Sequence, residues 1–495
     1  MTGDPTQGGH PTAGPAPHGG RAPARQWASP AQLRRRAEHR RVHRRLTGLA
    51  GTAAVLVAAA VLVATLPGSP GGGVRVRTVD HIGDAVEVAA VTERTAPAPG
   101  GTAERTAASG EQQFSQSLLA TLAAHDPSAN HLVAPYSLAE VLLMLELGAR
   151  GQTAGQIASV LAAESANGAT QAAGWHALAA GLQQAALSGH VEFHDASSVW
   201  AQKGVTIRPQ FLAALQQAFG TGVWQADFAR DPAGTVDAIN EWVRSETGGM
   251  ITKLLDPSNV DASTILALLD AVTFVGRWEQ PFTGTSPGTF NGPAGSSTVT
   301  YLDDGSGAPR QVPALFGNGV VAVQLPYGDP GTAGTDSTAP PVPPSGGRYA
   351  ALVVMPTSSS LPAWLSALPP GGLSSIVGAM TTQAVTVSMP QLSLSNRQSL
   401  NATLSTMGMP NAFGPSADFS GISPLAAHVG TVLQAVTLHV TKAGTVAASS
   451  TVATVEESAA HVSRHVSFDR PFLFVVRDTV TGAILFEAAV EDPVA

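Results

Sequence analysis

Four places in this 495-residue sequence carry residue types and spacings that chemistry could use. Gly284-Thr-Ser-Pro-Gly288 matches the G-x-S-x-G pattern of a hydrolase nucleophile elbow. That elbow needs a strand before the serine and a helix after it, so that the hydroxyl stands on a strained turn. Pro287 and the Gly/Pro-rich surroundings instead predict a loop around Ser286, with no base in view. His461 and His465 have the i, i+4 spacing that joins two ligands on a helix, but here it falls in extended sequence, and no metal is expected. Asn401-Ala-Thr403 is a glycosylation sequon. Cysteine is absent, which excludes disulfides, thiol nucleophiles and zinc-thiolate sites. No phosphate-cradling loop occurs, and no cofactor is expected.

The fourth place is Gly444–His461, GTVAASSTVATVEESAAH. Gly444 to Val455 carries no charge, no ring and no side chain larger than valine. Such a run resembles a flexible linker in composition. Yet no Gly or Pro interrupts it between Gly444 and Pro471, and Val446, Thr451, Val452, Thr454 and Val455 favour an extended strand. Its residues suit both an exposed loop and a buried strand.

The elements that must position this run come in two kinds. Apolar spacing predicts helices over Glu111–His125, Ser137–Leu147, Thr153–Leu161, Thr170–Leu187, Arg208–Phe219 and Val236–Glu246. Strands are predicted over Val191–Gln202, Ile265–Val275, Tyr349–Met355, Ala384–Met389 and Val432–Val440. Phe468–Pro493 gives two more around a turn at Asp478–Gly482. A helix-rich first half, a strand-rich second half and a terminal hairpin make an α+β domain, with 44% hydrophobic residues to fill its core. Asp329 to Gly347 reads as a surface loop.

Charge divides the chain. The first 45 residues hold nine arginines against Asp4 and Glu38, which leaves a net charge of −15 on the remainder. A body this acidic is a poor nucleic-acid binder. The arginines, with Arg34, Arg35, Arg36, Arg40, Arg41, Arg44 and Arg45 closest, precede Leu46–Leu66, an uncharged stretch of 21 residues. Its length and flank predict a single-pass signal anchor with a cytoplasmic N-terminus. Cleavage as a secretory signal is the competing reading, but no clean A-x-A site follows. The expected organisation is a disordered basic tail (1–45), an anchor (46–66), a Pro/Gly/Ala-rich stalk (67–110) with a short valine-rich interlude, and a folded domain (111–495). The folded part would then be extracytoplasmic, or secreted if the segment is cleaved. Abundant Ala, Gly and Arg suit a GC-rich, bacterial genome.

Five segments, in order, carry a family resemblance: Asn130–Leu138, Ile239–Val243 with Thr247–Ile251, Thr273–Phe282, Ala417–Ile422, and the small-residue run with the tail Phe468–Pro493. Together they resemble the serpins, a superfamily of serine protease inhibitors, from about Glu111 onward. The resemblance implies a serpin fold with large β-sheets and an exposed reactive loop near the C-terminus. It implies a monomer that is not an enzyme but a bait: a serine protease attacks the loop, and the loop inserts into a sheet while the acyl-enzyme is still attached.

On this resemblance Gly444, Thr445, Val446, Ala447, Ala448, Ser449 and Ser450 form the hinge. Counting from Gly444 puts the reactive bond near Ser458, and counting back from Pro471 puts it near Ala460, a window of Ser458, Ala459 and Ala460. Small residues there suit shallow-pocket, elastase-like or subtilisin-like proteases, and Glu456 and Glu457 leave a glutamate-specific target open. In an inserted strand Thr445, Ala447, Ser449, Thr451, Ala453 and Val455 would share one face, and none would bury a charge. Asn240, Ser137 and Gln434 are assigned to the sheet-opening region. The chain departs from the family at Lys442 and Val446 (commonly Glu), Gln434 (commonly His) and Ala134 (commonly Ser). A non-inhibitory serpin that uses its loop only for binding is the alternative, and a hydrolase using Ser286 a distant third.

Overall fold

The computed structural model describes residues 74–92, 101–162, 168–188, 191–261, 263–305, 309–328, 347–425, 427–445 and 464–493. The basic tail and Leu46–Leu66 lie outside this set. Among the described residues no helix is long and apolar enough to cross a membrane.

The chain enters as a hairpin, β1 (Val76–Ile82) and β2 (Ala85–Ala90), turned at Gly83 with φ of +56°. Helix α1 (Thr102–His125) leads to β3 (His131–Val133) and to helices α2 (Pro135–Glu146), α3 (Gly151–Val160) and α4 (Gly168–Ser188). Next come β4 (Val191–Gln202), α5 (Pro209–Ala218), β5 (Val223–Ala226), α6 (Pro232–Glu246) and β6 (Leu266–Arg277). Strands β7 (Gly284–Gly292), β8 (Gly295–Asp303), β9 (Arg310–Gly317), β10 (Val320–Pro326) and β11 (Tyr349–Pro356) follow. Two short helices, α7 (Leu361–Ala367) and α8 (Gly372–Ala379), precede β12 (Thr381–Pro390), β13 (Leu392–Ser399) and α9 (Asn401–Met407). The last strands are β14 (Val429–Thr441), β15 (Gly444–Thr445), β16 (Arg464–Ser467), β17 (Phe472–Asp478) and β18 (Ile484–Val490).

Two sheets result. One has eight strands in the order β1-β2-β5-β4-β6-β15-β14-β13. The other has ten, along β3-β18-β17-β11-β10-β9-β12-β8-β7, with β16 beside β12. Strand β6, LALLDAVTFVGR, explains the first sheet's central position: nearly all of it is buried, so apolar residues do not alternate. Leu268, Val272 and Phe274 face the main core. Ala267, Leu269 and Ala271 join Leu433 and Ala435 beneath Ile239, Trp242 and Val243 of α6. Helix α2 lies buried against the inner face, with proline at its first position where no helical N–H partner is lost.

Three sequence expectations change. Residues 76–90 are not stalk: β2 pairs with β5, and Glu87 accepts hydrogen bonds from the Gly222 N–H (2.7 Å) and the Thr221 hydroxyl (3.3 Å). The valine-rich interlude is short, but sheet pairing and burial of Ala85, Ala89 and Ala90 hold it. The first helix starts at Thr102, not Glu111, because its alanine-rich opening packs: Ala108 is buried, and so is Glu104, which lies 3.7 Å from Arg348. Ser286 lies in strand β7, not in a loop; alternate residues of β7 stay exposed, so its Gly, Thr, Ser and Pro meet water on one side while pairing with β8.

Candidate hinge seat and seam

Strand β15 is the start of the small-residue run, and it sits as a wedge. Thr445 pairs antiparallel with Val440 of β14 on one side and with Gly276 of β6 on the other. Away from the wedge, β6 and β14 pair directly and in parallel, from Thr437–Thr273 to Val429–Leu266. The two central strands are therefore zipped together along most of their length and parted at one end by two residues of the run.

The seat is shaped for those two residues. Gly444 has φ of +150°, and a Cβ there would lie 2.1 Å from the Gly276 carbonyl oxygen, so no larger residue fits. Thr445 is wholly buried, and its Oγ1 is 2.7 Å from the Tyr327 hydroxyl. Trp278 stacks on Tyr327 at 4.5 Å and donates from Nε1 to the Thr441 carbonyl (2.9 Å). The backbone N–H groups of Trp278 and Phe282 bind the carbonyls of Ala443 (3.1 Å) and Lys442 (2.9 Å). Lys442 thus serves the seat through its backbone, whatever its side chain. Val446, Ala447, Ala448, Ser449 and Ser450 lie outside the described residues, as does the window Ser458, Ala459 and Ala460.

Along the zipped part, Gln434 of β14 stands directly opposite Asp270 of β6. Gln434 Nε2 donates to Asp270 Oδ2 (2.6 Å) and to the Ala134 carbonyl (2.9 Å), while its Oε1 accepts from the Ala134 N–H (3.2 Å). Only the backbone of Ala134 is used, so its missing hydroxyl leaves this clamp intact. Ser137 of α2 donates to the same Asp270 Oδ2 (2.8 Å). Ser197 of β4 lies 3.3 Å from Asp270 Oδ1 and 2.7 Å from Asp195 Oδ1. Burial first, then the neighbouring Asp195 charge, pushes the Asp270 carboxyl well above the usual carboxylate range. Burial likewise raises Asp195 to about 6.

The structure thus brings Ser137 and Gln434 together, but not Asn240. The Asn240 side chain accepts from the N–H groups of Leu254 (2.7 Å) and Leu255 (2.9 Å) and donates to the Leu255 carbonyl (3.0 Å), fixing the loop after α6. Sequence reading missed Asp270, although it is the one charge in the apolar run Leu266–Val275, a pattern that marks a buried polar role. Tyr327 carried no such signal.

The other candidates lose their chemistry. Ser286 Oγ is 3.2 Å from Asp303 Oδ2, and β7 turns directly into β8 with no helix after the serine. Asp303 is held below the usual range, first by the Gly305 N–H and then by hydroxyls and the His465 charge, so it is a poor base for that hydroxyl. Ser286→Ala is expected to leave any activity of the protein unchanged within twofold; loss of a measured hydrolytic activity in this variant would revive the enzyme reading. Asn401 donates to the Gly430 carbonyl (2.9 Å) and accepts from the Val432 N–H (2.8 Å), which ties up its side-chain amide. His465 is bonded to Thr386 at 3.2 Å, and His461 lies outside the described residues. Among the described residues no cluster of three His, Asp or Glu could hold a metal ion.

A wedge of small residues between two zipped strands, within this two-sheet frame, defines a class of protein, and comparison identifies it. Residues 109–493 match the family model for serpins, described as serine protease inhibitors, and the chain belongs to that family. Glia-derived nexin of Rattus norvegicus is 30% identical over 380 residues, which span 74% of this chain and 88% of that protein. Leukocyte elastase inhibitor of Bos taurus is 26% identical over 402 residues, 77% of this chain and 98% of its own length. Among solved structures, the native state of the thermophilic serpin tengpin superposes with a TM-score of 0.69 at 21% identity, covering 81% of this chain and 97% of that one.

Proposed function

We propose that the protein inhibits a serine protease as a suicide substrate, the loop after Thr445 being cleaved and drawn between β6 and β14. The observation that carries this reading is the seated wedge. Gly444 and Thr445 already occupy the first positions of a new strand, hydrogen-bonded on both sides, with Thr445 turned inward. The next inward positions in the sequence, Ala447, Ser449, Thr451, Ala453 and Val455, are small and uncharged, so continuing the strand strands no charge. Leukocyte elastase inhibitor supports the same direction by the inhibited protease in its name. The small residues at Ser458–Ala460 favour an elastase-like or subtilisin-like target.

The test is incubation of the purified full chain with elastase and with subtilisin, read by denaturing gel and mass spectrometry. An SDS-stable adduct, with cleavage between Glu457 and His461, is the expected result. Clean cleavage without an adduct would mean a substrate, and an untouched loop would favour the non-inhibitory alternative.

The same proposal places the inhibitor outside the cytoplasm on an anchor formed by Leu46–Leu66, supported by the arginines that precede it. In intact cells an external protease would then reach the folded region, and a protected folded region would refute this topology.

A further inference from the structure

The loop can continue as a strand beyond Thr445 only if β6 and β14 part. Their parallel pairing runs from Thr437–Thr273 to Val429–Leu266, and the Gln434–Asp270 pair lies within it. This is also where polar side chains cross the seam: Gln434 on one side, Asp270 on the other, with Ala134, just before α2, and Ser137 of α2 bonded from behind. An unpaired carboxylate at a wholly buried position is costly, whereas a protonated one is not.

We propose that Asp270 is a proton-controlled latch on this seam, which stays shut while the carboxyl keeps its proton and loosens when the proton leaves for water. The inference rests on the loop-insertion reading above. The geometry provides for the proton. With hydrogen on Oδ1, Asp270 donates to Ser197 Oγ, and Ser197 passes its own hydrogen to Asp195 Oδ1. Oδ2 stays free to accept from Ser137 and Gln434.

Around Asp270, burial and the Asp195 charge push the carboxyl up, and the hydrogen bonds from Gln434, Ser137 and Ser197 that pull it down do not outweigh them. From β4 come Asp195 and Ser197; from α2 come Ser137 and, beyond Asp195, Glu140, which also accepts from Trp175 Nε1 of α4 (3.3 Å). From β14 comes neutral Gln434. Neither Asp270 nor Asp195 takes part in an ion pair among the described residues. Burial and the Asp195 charge hold the closed-state carboxyl above its ordinary value. When the strands part and water enters, that value falls back. A group raised in the closed state stabilises it fully at low pH, and this contribution is lost as pH rises towards the raised value. Opening should therefore be slow in acid and faster at neutral and alkaline pH.

The experiment uses the full chain with its loop intact and a synthetic peptide of residues 445–458, offered as a strand to the seam. Peptide uptake is followed from pH 5 to pH 8 by native mass spectrometry and by gain of heat resistance. The uptake rate should rise at least tenfold over this range, since each unit of pKa difference between closed and open seam is a factor of ten. Asp270→Asn mimics the protonated acid and keeps both Oδ2-type acceptor bonds, so its rate should stay low and flat. Asp195→Asn removes the neighbouring charge and should move the wild-type rise to lower pH; it carries the test if Asp270→Asn does not fold. A flat wild-type profile, an unchanged rise in Asp270→Asn, or an unshifted rise in Asp195→Asn overturns the latch while leaving insertion intact. If the peptide enters at no pH and loop cleavage brings no heat resistance, the insertion reading itself fails.

Discussion

Thr445→Arg is expected to convert the protein from inhibitor to substrate. Thr445 is buried to zero exposure against Tyr327, its hydroxyl 2.7 Å from the tyrosine oxygen. An arginine at this position either strands a charge in the sheet or pulls the wedge out of its seat. The first costs several kcal/mol, and each ~1.4 kcal/mol is a tenfold change in rate, so insertion should slow by about a hundredfold or more. Acylation should be nearly untouched, because the Ser458–Ala460 window lies more than ten residues downstream. Hydrolysis of the acyl-enzyme then wins the race. The readout is loss of SDS-stable complex with continued loop cleavage, and a smaller gain in heat stability after cleavage than the parent shows. A variant that traps protease as efficiently as the parent would exclude insertion as the mechanism.

The second large effect concerns stability rather than the loop. Arg310 and Asp304 are each 5% exposed and joined by two hydrogen bonds, Nε to Oδ2 at 2.8 Å and Nη2 to Oδ1 at 2.5 Å. Asp304 also accepts from the Val387 N–H (2.9 Å), Arg310 donates to the Gln280 carbonyl, and its guanidinium lies 4.3 Å from the centre of the Phe282 ring. The pair therefore ties β9, β12 and the segment after β6 together. Arg310→Met fills similar space but leaves a buried carboxylate alone, a loss of about 3–5 kcal/mol. Paired Arg310→Met and Asp304→Leu should recover most of it, because the stranded charge goes too. Urea unfolding of the three proteins checks this; a single variant within about 1 kcal/mol of the parent would show that water already screens Asp304.

Much of the frame was legible in the sequence. Val191–Gln202 matches β4 end to end, and the six predicted helices correspond to the first six observed, because long apolar periodicities survive in the core. The misses share a cause. Residues 76–90 and 284–303 are rich in Gly, Ser, Thr, Pro or short valine runs, and their strands exist because a neighbouring strand pairs with them. The site was readable where one side chain announced itself. Gln434 and Ser137 both bond to Asp270, the residue that joins them and was passed over. Asn240 was grouped with them by motif, although its hydrogen bonds serve a loop. Tyr327 lies 118 residues before Thr445 in the chain, and only the folded sheet makes it the hinge's partner.

The amino-terminal hairpin has a bearing on how molecules meet one another. A sheet that accepts a strand at its centre is at risk if its rim accepts strands as well, since one molecule's loop could then lodge on another's border. By pairing with β5, β2 takes that strand off the rim and hands the border to β1. This new border is ill-suited to receiving a guest. The register slips between Thr78 and Asp80, leaving Val79 outside the ladder, and Arg77, Asp80 and His81 face water along it. Docking of strands on this side is thereby discouraged by a kinked, charged selvedge, and on the proposed mechanism the seam between β6 and β14, once parted, is where a free strand would pair on both sides.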